Sequence, residues 1–250
     1  MLKNQFAKIG FVVLFGLLFV SLSLNLILYA QGREYYLELN RTRLDPLGLA
    51  SYPTLTLPRT TFAEKHRVLF FGDSRAAAWT IPTEAAELTL FNRGIGSQTS
   101  AQAVGRFSSH VLPLQPDIIV IQIGINDLKT IPLFPEQKAT IIANCKANIS
   151  RLVELSVQSG AQVILTTIFP LGRLPVERRP FWSEDVEIAI EDVNQFITTL
   201  ESDHVKVFDT VKVLANANGI TDSQYSQDFL HLNAEGYNAL NRELVPLLQP

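Results

Sequence analysis

The sequence predicts an α/β domain built on an open, doubly wound parallel sheet of about five strands, preceded by a membrane-spanning helix. Three observations carry that prediction. Short β-branched apolar runs recur after residue 67 and alternate with longer amphipathic segments, the pattern of parallel strands covered by helices on both faces. The chain has 250 residues, 47% hydrophobic and 18% charged, which suits one sizeable globular core. At the N-terminus, the stretch from Gly10 to Ala30 carries no charge and is long enough to cross a hydrocarbon layer of roughly 30 Å.

In chain order, residues 1–9 form a short tail and residues 10–30 the transmembrane anchor. A cleaved signal peptide is the competing reading. Against it, the apolar region exceeds the usual length of about 7–15 residues, and Leu28-Tyr29-Ala30 makes a poor cleavage site. Lys3 and Lys8 precede the span while Arg33, Arg41 and Arg43 follow it, so the distribution of positive charge does not orient it. Large domains after a first span commonly translocate. The body is therefore expected outside the cytoplasmic membrane, in the periplasm if the cell is bacterial, and secreted if the segment is cleaved. Residues 31–66 contain Pro46, Pro53 and Pro58 and no sustained period, and read as a tether or a segment wrapped on the domain.

Residues 67–250 form the fourth part, the candidate catalytic domain. Its strands are expected at "VLFFG" (68–72), "LTLFN" (88–92), "DIIVIQIG" (117–124), "AQVILTTIF" (161–169) and "VKVFD" (205–209). Helices are expected over roughly 98–111, 135–159, 184–202 and 234–248. A sheet of this kind binds its ligand beyond the carboxyl ends of the strands, which directs attention to the polar residues there.

Composition removes some partners. A formal net charge of -3 and a pI near 5.8 provide no basic field for nucleic acid. The lone Cys145 allows no internal disulfide, and it reads as a small core residue.

Gly72-Asp73-Ser74 follows the first expected strand, where a serine could simply cap the next helix. Three further polar stretches accompany it: "NRGIGSQTS" (92–100) after the second strand, "GINDL" (124–128) after the third, and "DFLHLNAEGY" (228–237) before the last helix. Together and in this order, Gly72-Asp73-Ser74, the glycine-rich turn at 94–97, Gly124-Ile125-Asn126-Asp127 and Asp228-Phe229-Leu230-His231 resemble the four sequence blocks of the SGNH, or GDSL-type, hydrolases. The resemblance spans about residues 67–248. It implies a three-layer flavodoxin-like fold, Ser74 as nucleophile, and no cofactor.

Residue chemistry points the same way. A serine hydroxyl attacks an ester only when a base takes its proton, commonly an imidazole oriented by a carboxylate. Asp228 and His231 can supply that pair. His66, His110 and His204 read as surface or packed residues, and Asp228 with His231 lacks a third ligand for a metal. Candidate oxyanion donors are the N–H of Ser74, an N–H from the 94–97 turn, and the side-chain amide of Asn126. Asn126 could alternatively close an Asx-turn; the resemblance implies that it is a donor. An ungapped comparison puts the family's usual oxyanion glycine at Ser97, with Gly96 as its neighbour. Serine retains the N–H, but carries a steric penalty if the turn requires positive φ. Arg75 also departs from the family, in which an apolar residue is common there. It would either meet an anionic substrate or lie on a solvated helix face.

The resulting expectation is a membrane-anchored serine esterase that hydrolyses an acyl ester in a lipid, thioester or acetylated glycan through a Ser-His-Asp triad and an acyl-enzyme. The alternatives are an acyltransferase using the same triad on an envelope glycan or lipid, and a non-catalytic envelope-binding module.

Overall fold

A computed structural model describes residues 2–53, 66–80 and 88–248. The chain divides into two units, Met1–Pro46 and Leu47–Pro250. The first is formed by one helix, α1 (Leu2–Leu44). Its most apolar 18-residue window has a mean hydropathy of 2.6, none of it buried, and Phe11, Leu14, Phe19 and Leu26 present their side chains outward. A helix of this length and composition suits a membrane span or a signal sequence. It also continues beyond Ala30, so residues 31–44 are helical where an irregular tether is expected; residues 54–65 of that segment lie outside the described residues. The polar extension is rich in Glu, Leu, Arg and Tyr, and the first proline, Pro46, comes after the helix has ended.

In the second unit, five parallel strands, β1 (His66–Gly72), β2 (Leu88–Gly94), β3 (Ile118–Gln122), β4 (Gln162–Thr166) and β5 (Val205–Phe208), form one sheet in the order β2-β1-β3-β4-β5. Strand order reverses between β1 and β3, which places a ligand crevice at their carboxyl ends.

Alternation along the strands builds two cores. Leu69, Phe71, Ile119, Ile121, Val163 and Leu165 face α3 (Ser100–His110), α5 (Lys138–Gln158) and α6 (Asp185–Thr198), burying Phe107, Leu152, Val186 and Val193 among others. Val68, Phe70, Val120 and Ile164 face the opposite way, with Trp79, with Leu214 of α7 (Thr210–Leu214) and with Tyr237, Leu240 and Leu244 of α8 (Ala234–Leu244). Both faces are thus covered, which explains why the strands read as near-continuous apolar runs. Helix starts are capped locally. Thr99 and Gln102 make a reciprocal capping box on α3, and Asn233 accepts from the Gly236 N–H at the start of α8.

The end of β1 is fixed by close backbone packing. Gly72 has φ 151°, and a Cβ there would lie 1.7 Å from the Gln122 carbonyl oxygen on β3. Only glycine fits. The chain can therefore turn immediately into α2 (Ser74–Ala77), with Asp73 as its N-cap accepting from the Arg75 N–H at 2.8 Å. Gly94, ending β2, packs against this turn so closely that a Cβ would meet the Ala77 nitrogen at 2.1 Å.

Candidate active site

Ser74 stands at the first residue of α2, half-buried at the carboxyl edge of the sheet. Its Oγ lies 3.0 Å from His231 Nε2, although 157 residues separate the two in sequence. On the far side of the ring, His231 Nδ1 lies 2.9 Å from Asp228 Oδ2 and 3.1 Å from Oδ1. With the Nδ1 proton donated to this carboxylate, Nε2 is free to accept from the serine hydroxyl.

The 228–231 turn makes that arrangement locally. Asp228 Oδ1 also accepts the backbone N–H groups of Leu230, at 2.7 Å, and His231, at 2.8 Å, folding the side chain back over its own turn. Partial burial alone would raise the Asp228 pKa, but the hydrogen bonds from His231 and the two backbone donors outweigh it and hold the carboxyl below its ordinary range. It remains an anion.

The Ser74 turn is braced from β2. Asn92 donates from Nδ2 to the carbonyls of Ala76, at 2.8 Å, Ala77 and Trp79, and accepts the Gly94 N–H at 2.8 Å, so one side chain satisfies the carboxyl end of α2. Arg106, fully buried on α3, donates from Nη1 to the Arg93 carbonyl at 2.8 Å and from Nη2 to the Gly72 carbonyl at 2.9 Å. Burial pushes its pKa down to about 10, which leaves it cationic. These two residues pin the ends of β1 and β2.

Asn126 is buried in the short helix α4 (Ile125–Leu128) and donates one Nδ2 hydrogen to the Gln98 carbonyl at 2.9 Å, leaving a second N–H on the same amide. Asp127 beside it accepts from the Ser100 N–H at 2.8 Å and from its hydroxyl at 2.6 Å, fastening α4 to the start of α3. Burial raises the Asp127 pKa against the lowering effect of the Ser100 bonds.

Between them lies the Gly94–Ser97 turn. Gly96 sits against Ser74, since a Cβ built on it would be 3.9 Å from Ser74 Cβ. Ser97 has φ 63°, so the turn does demand a left-handed residue at the position where the sequence comparison places the family's glycine. Among the described residues, the backbone N–H groups of Ser74 and Ser97 have no protein acceptor.

Arg75 overturns both readings made from the sequence. It is 0% exposed, so it neither lies on a solvated face nor meets a substrate; its Nε donates to the Leu230 carbonyl at 2.8 Å. The other histidines are away from this cluster: His110 is packed between Arg106 and the Leu49 carbonyl, His204 is beside Gln162, and His66 is at the exposed start of β1. Cys145 is buried in the core. Among the described residues, no group of three acidic, histidine or cysteine side chains could hold a metal.

The profile of the GDSL-like lipase/acylhydrolase family matches residues 70–239, more than half of the chain. The chain belongs to that family. It is accordingly a hydrolase acting on ester bonds. A GDSL-like lipase from Bacteroides thetaiotaomicron is similar in fold, with a TM-score of 0.61 and 22% identity over 84% of this chain and 96% of its own. The lipase/acylhydrolase of Enterococcus faecalis gives a TM-score of 0.54 and 21% identity over 74% and 95% of the two chains. The acetyl xylan esterase AlAXEase gives 0.57 and 18% over 73% and 100%. No curated protein sequence matches the chain.

Sequence reasoning missed the bracing residues of this GDSL-type site. Asn92 and Asp127 lie inside the stretches it singled out, and their side-chain type at a strand or helix end was the available signal. Arg106 carried no signal beyond being a basic residue on an amphipathic helix.

Proposed function

We propose that the protein is a membrane-anchored serine esterase in which Ser74 is the nucleophile, His231 the general base and then acid, and Asp228 the group that orients and stabilises the imidazole. The observation that carries this reading is the continuous pair of contacts from Ser74 Oγ to His231 Nε2, at 3.0 Å, and from His231 Nδ1 to Asp228 Oδ2, at 2.9 Å. As Ser74 Oγ attacks the acyl carbonyl, its proton passes to Nε2, and the Asp228 anion stabilises the imidazolium that forms. The developing oxyanion is received by the Ser74 N–H, the N–H of Ser97, with Gly96 its neighbour in the turn, and the remaining N–H of Asn126. His231 then returns the proton to the departing alcohol. Water, activated by the same ring, releases the acid from the acyl-enzyme.

The anchor in this reading is the apolar part of α1, and the substrate is an acyl ester accessible from the membrane face on which the body lies. Support comes from the helix's length and outward-facing apolar residues.

The test is covalent labelling by a serine-reactive fluorophosphonate, with turnover of a soluble acyl ester measured in parallel. The wild-type chain is expected to label at one site and to hydrolyse the ester, and Ser74→Ala to lose both while retaining its folded signature. Labelling that persists in Ser74→Ala, or ester turnover unchanged by it, would remove Ser74 from the mechanism.

A further inference from the structure

We infer that Arg75 is a positioning residue, a buried guanidinium that sets the distance between nucleophile and base. The inference rests on the triad reading above. Its basis is the place of one hydrogen bond: Arg75, next to Ser74, donates from Nε at 2.8 Å to the carbonyl of Leu230, next to His231. Among the described residues, two hydrogen bonds join α2 to the 227–232 loop, and they run side by side: Ser74 Oγ to His231 Nε2, and Arg75 Nε to Leu230 O. The first is consumed and remade in each turnover. Only the second can hold the register while the proton moves.

The loop needs such a constraint. The side chains of Asp228 and His231 are substantially exposed, at 48% and 36%, while Leu232 is buried and the Phe229 ring packs against Trp182; the loop's backbone bonds are mostly to itself, with Gln227 and Asp228 both donating to the His231 carbonyl. Among the described residues, one backbone hydrogen bond ties it to the sheet edge, from the Gly172 N–H to the Phe229 carbonyl. Arg75, by contrast, is held at several points. Its Nη1 donates to the Phe169 carbonyl at 3.3 Å, and its guanidinium lies 5.2 Å from the centre of the Phe169 ring. Its own carbonyl accepts the Tyr237 hydroxyl at 2.9 Å, and its N–H meets Asp73. A rigid fork thus reaches from the nucleophile turn to the base turn.

Stability alone does not account for an arginine there. The buried Asp73 carboxyl attracts the guanidinium, yet Nη2 is buried without a protein partner, and a buried ion pair with an unmet donor is commonly no more stable than apolar side chains of similar volume. What an apolar residue cannot supply is the donor to Leu230. A displacement of about 1 Å between reacting groups can lower the rate by about 10²-fold, so a moderate loosening of this loop is enough to matter.

The experiment compares Arg75→Met and Arg75→Lys with Arg67→Met in the full chain in detergent. Arg67 is another fully buried arginine that donates to a backbone carbonyl, that of Leu114 at 3.0 Å, but it lies at the opposite end of β1. Active sites are titrated with the fluorophosphonate, and kcat and KM are measured per titrated site. Arg75→Met is expected to lose at least tenfold in kcat, with KM within about twofold and the phosphonylation rate reduced in proportion. Arg75→Lys should recover part of that loss, and Arg67→Met should keep its kcat even if its thermal midpoint falls. The inference is overturned if Arg75→Met keeps kcat within twofold, if Arg67→Met loses as much, or if neither Arg75 variant folds while Arg67→Met does, which would make the role purely structural. Ser74→Ala separates the two readings: full activity there defeats the triad itself, whereas an inactive Ser74→Ala beside a fully active Arg75→Met defeats only the role of Arg75.

Discussion

Ser97 offers a quantitative test of the oxyanion turn. Its φ of 63° is left-handed, a conformation that disfavours an ordinary L-residue by roughly 1–2 kcal/mol, and its exposed side chain makes no hydrogen bond. Glycine would relieve that strain but would also gain freedom in the unfolded chain, which costs about 0.4–1 kcal/mol. Ser97→Gly is therefore expected to be neutral to stabilising, by roughly 0–1.5 kcal/mol from the difference of these ranges, or a few degrees in Tm for a body of this size. Its backbone N–H is unchanged, so kcat should be too. Ser97→Pro removes the N–H and forces φ to about −65°, and should lower kcat by about 10²–10³-fold. The assays are thermal unfolding followed by the fluorescence of the buried Trp79, and ester turnover per titrated site. A Ser97→Gly variant clearly less stable than the parent would refute the strain argument. Full turnover in Ser97→Pro, with loss in Gly96→Pro, would move the donor to Gly96.

Other expectations concern the neighbours of this turn. Asn126→Ala should lower kcat by about 10²-fold or more with a smaller change in KM, because the proposed role of its amide is to meet the negative charge as it develops; equal effects on both would assign it to substrate binding. Gly94→Ala should fail to fold or unfold far more readily, since its Cβ would stand 2.1 Å from the Ala77 nitrogen; a chemical denaturation midpoint near that of the parent would contradict the packing. Burial of Asp73 outweighs the attraction of Arg75 and raises its pKa to about 6 from 3.8, so the folded state holds a proton that the unfolded state releases between these values. Stability from this group should fall as pH rises from about 4 to 6, by up to about 3 kcal/mol, and Asp73→Asn should abolish that fall in denaturation curves taken across the range. Asp228, lowered instead, contributes stability above the ordinary carboxylate range that is lost only as pH drops through its depressed pKa.

The sheet was legible because parallel strands buried on both faces must be apolar along their whole length, and "DIIVIQIG" and "AQVILTTIF" can be little else. The proximity of Ser74, His231 and Asp228 was foreseeable because four sequence blocks, in order, resemble those of the GDSL-type hydrolases; the 228–231 turn precedes the last helix and follows no strand, so strand ends alone would not have pointed to it. Arg75 and Arg106 were not legible. Each acts on backbone carbonyls, Leu230 for one and Gly72 and Arg93 for the other, and a carbonyl looks the same at every position of a sequence. A charged residue in a short helical stretch reads as solvated until the fold shows what encloses it. The left-handed backbone of Ser97 was likewise hidden, because the one residue that would have announced it, glycine, is displaced to position 96.

The segment just after the long helix bears on where a soluble form of this enzyme should begin. The Leu47 carbonyl accepts from Gln98 Nε2 at 2.8 Å, and the Gln98 carbonyl in turn receives Asn126; the Tyr52 hydroxyl donates to the Gly94 carbonyl while the Arg93 guanidinium lies 4.6 Å from the centre of the Tyr52 ring. A cut made shortly before β1, at residue 60 for instance, looks harmless by strand count but strips the outer wall from the turn that carries Gly96 and Ser97. A cut made immediately before Leu47 keeps that wall and discards the apolar helix. The hydrolase thus starts some twenty residues earlier than its first strand, and trimming to the sheet would yield a protein with Ser74 in place and the Gly94–Ser97 turn beside it unbuttressed.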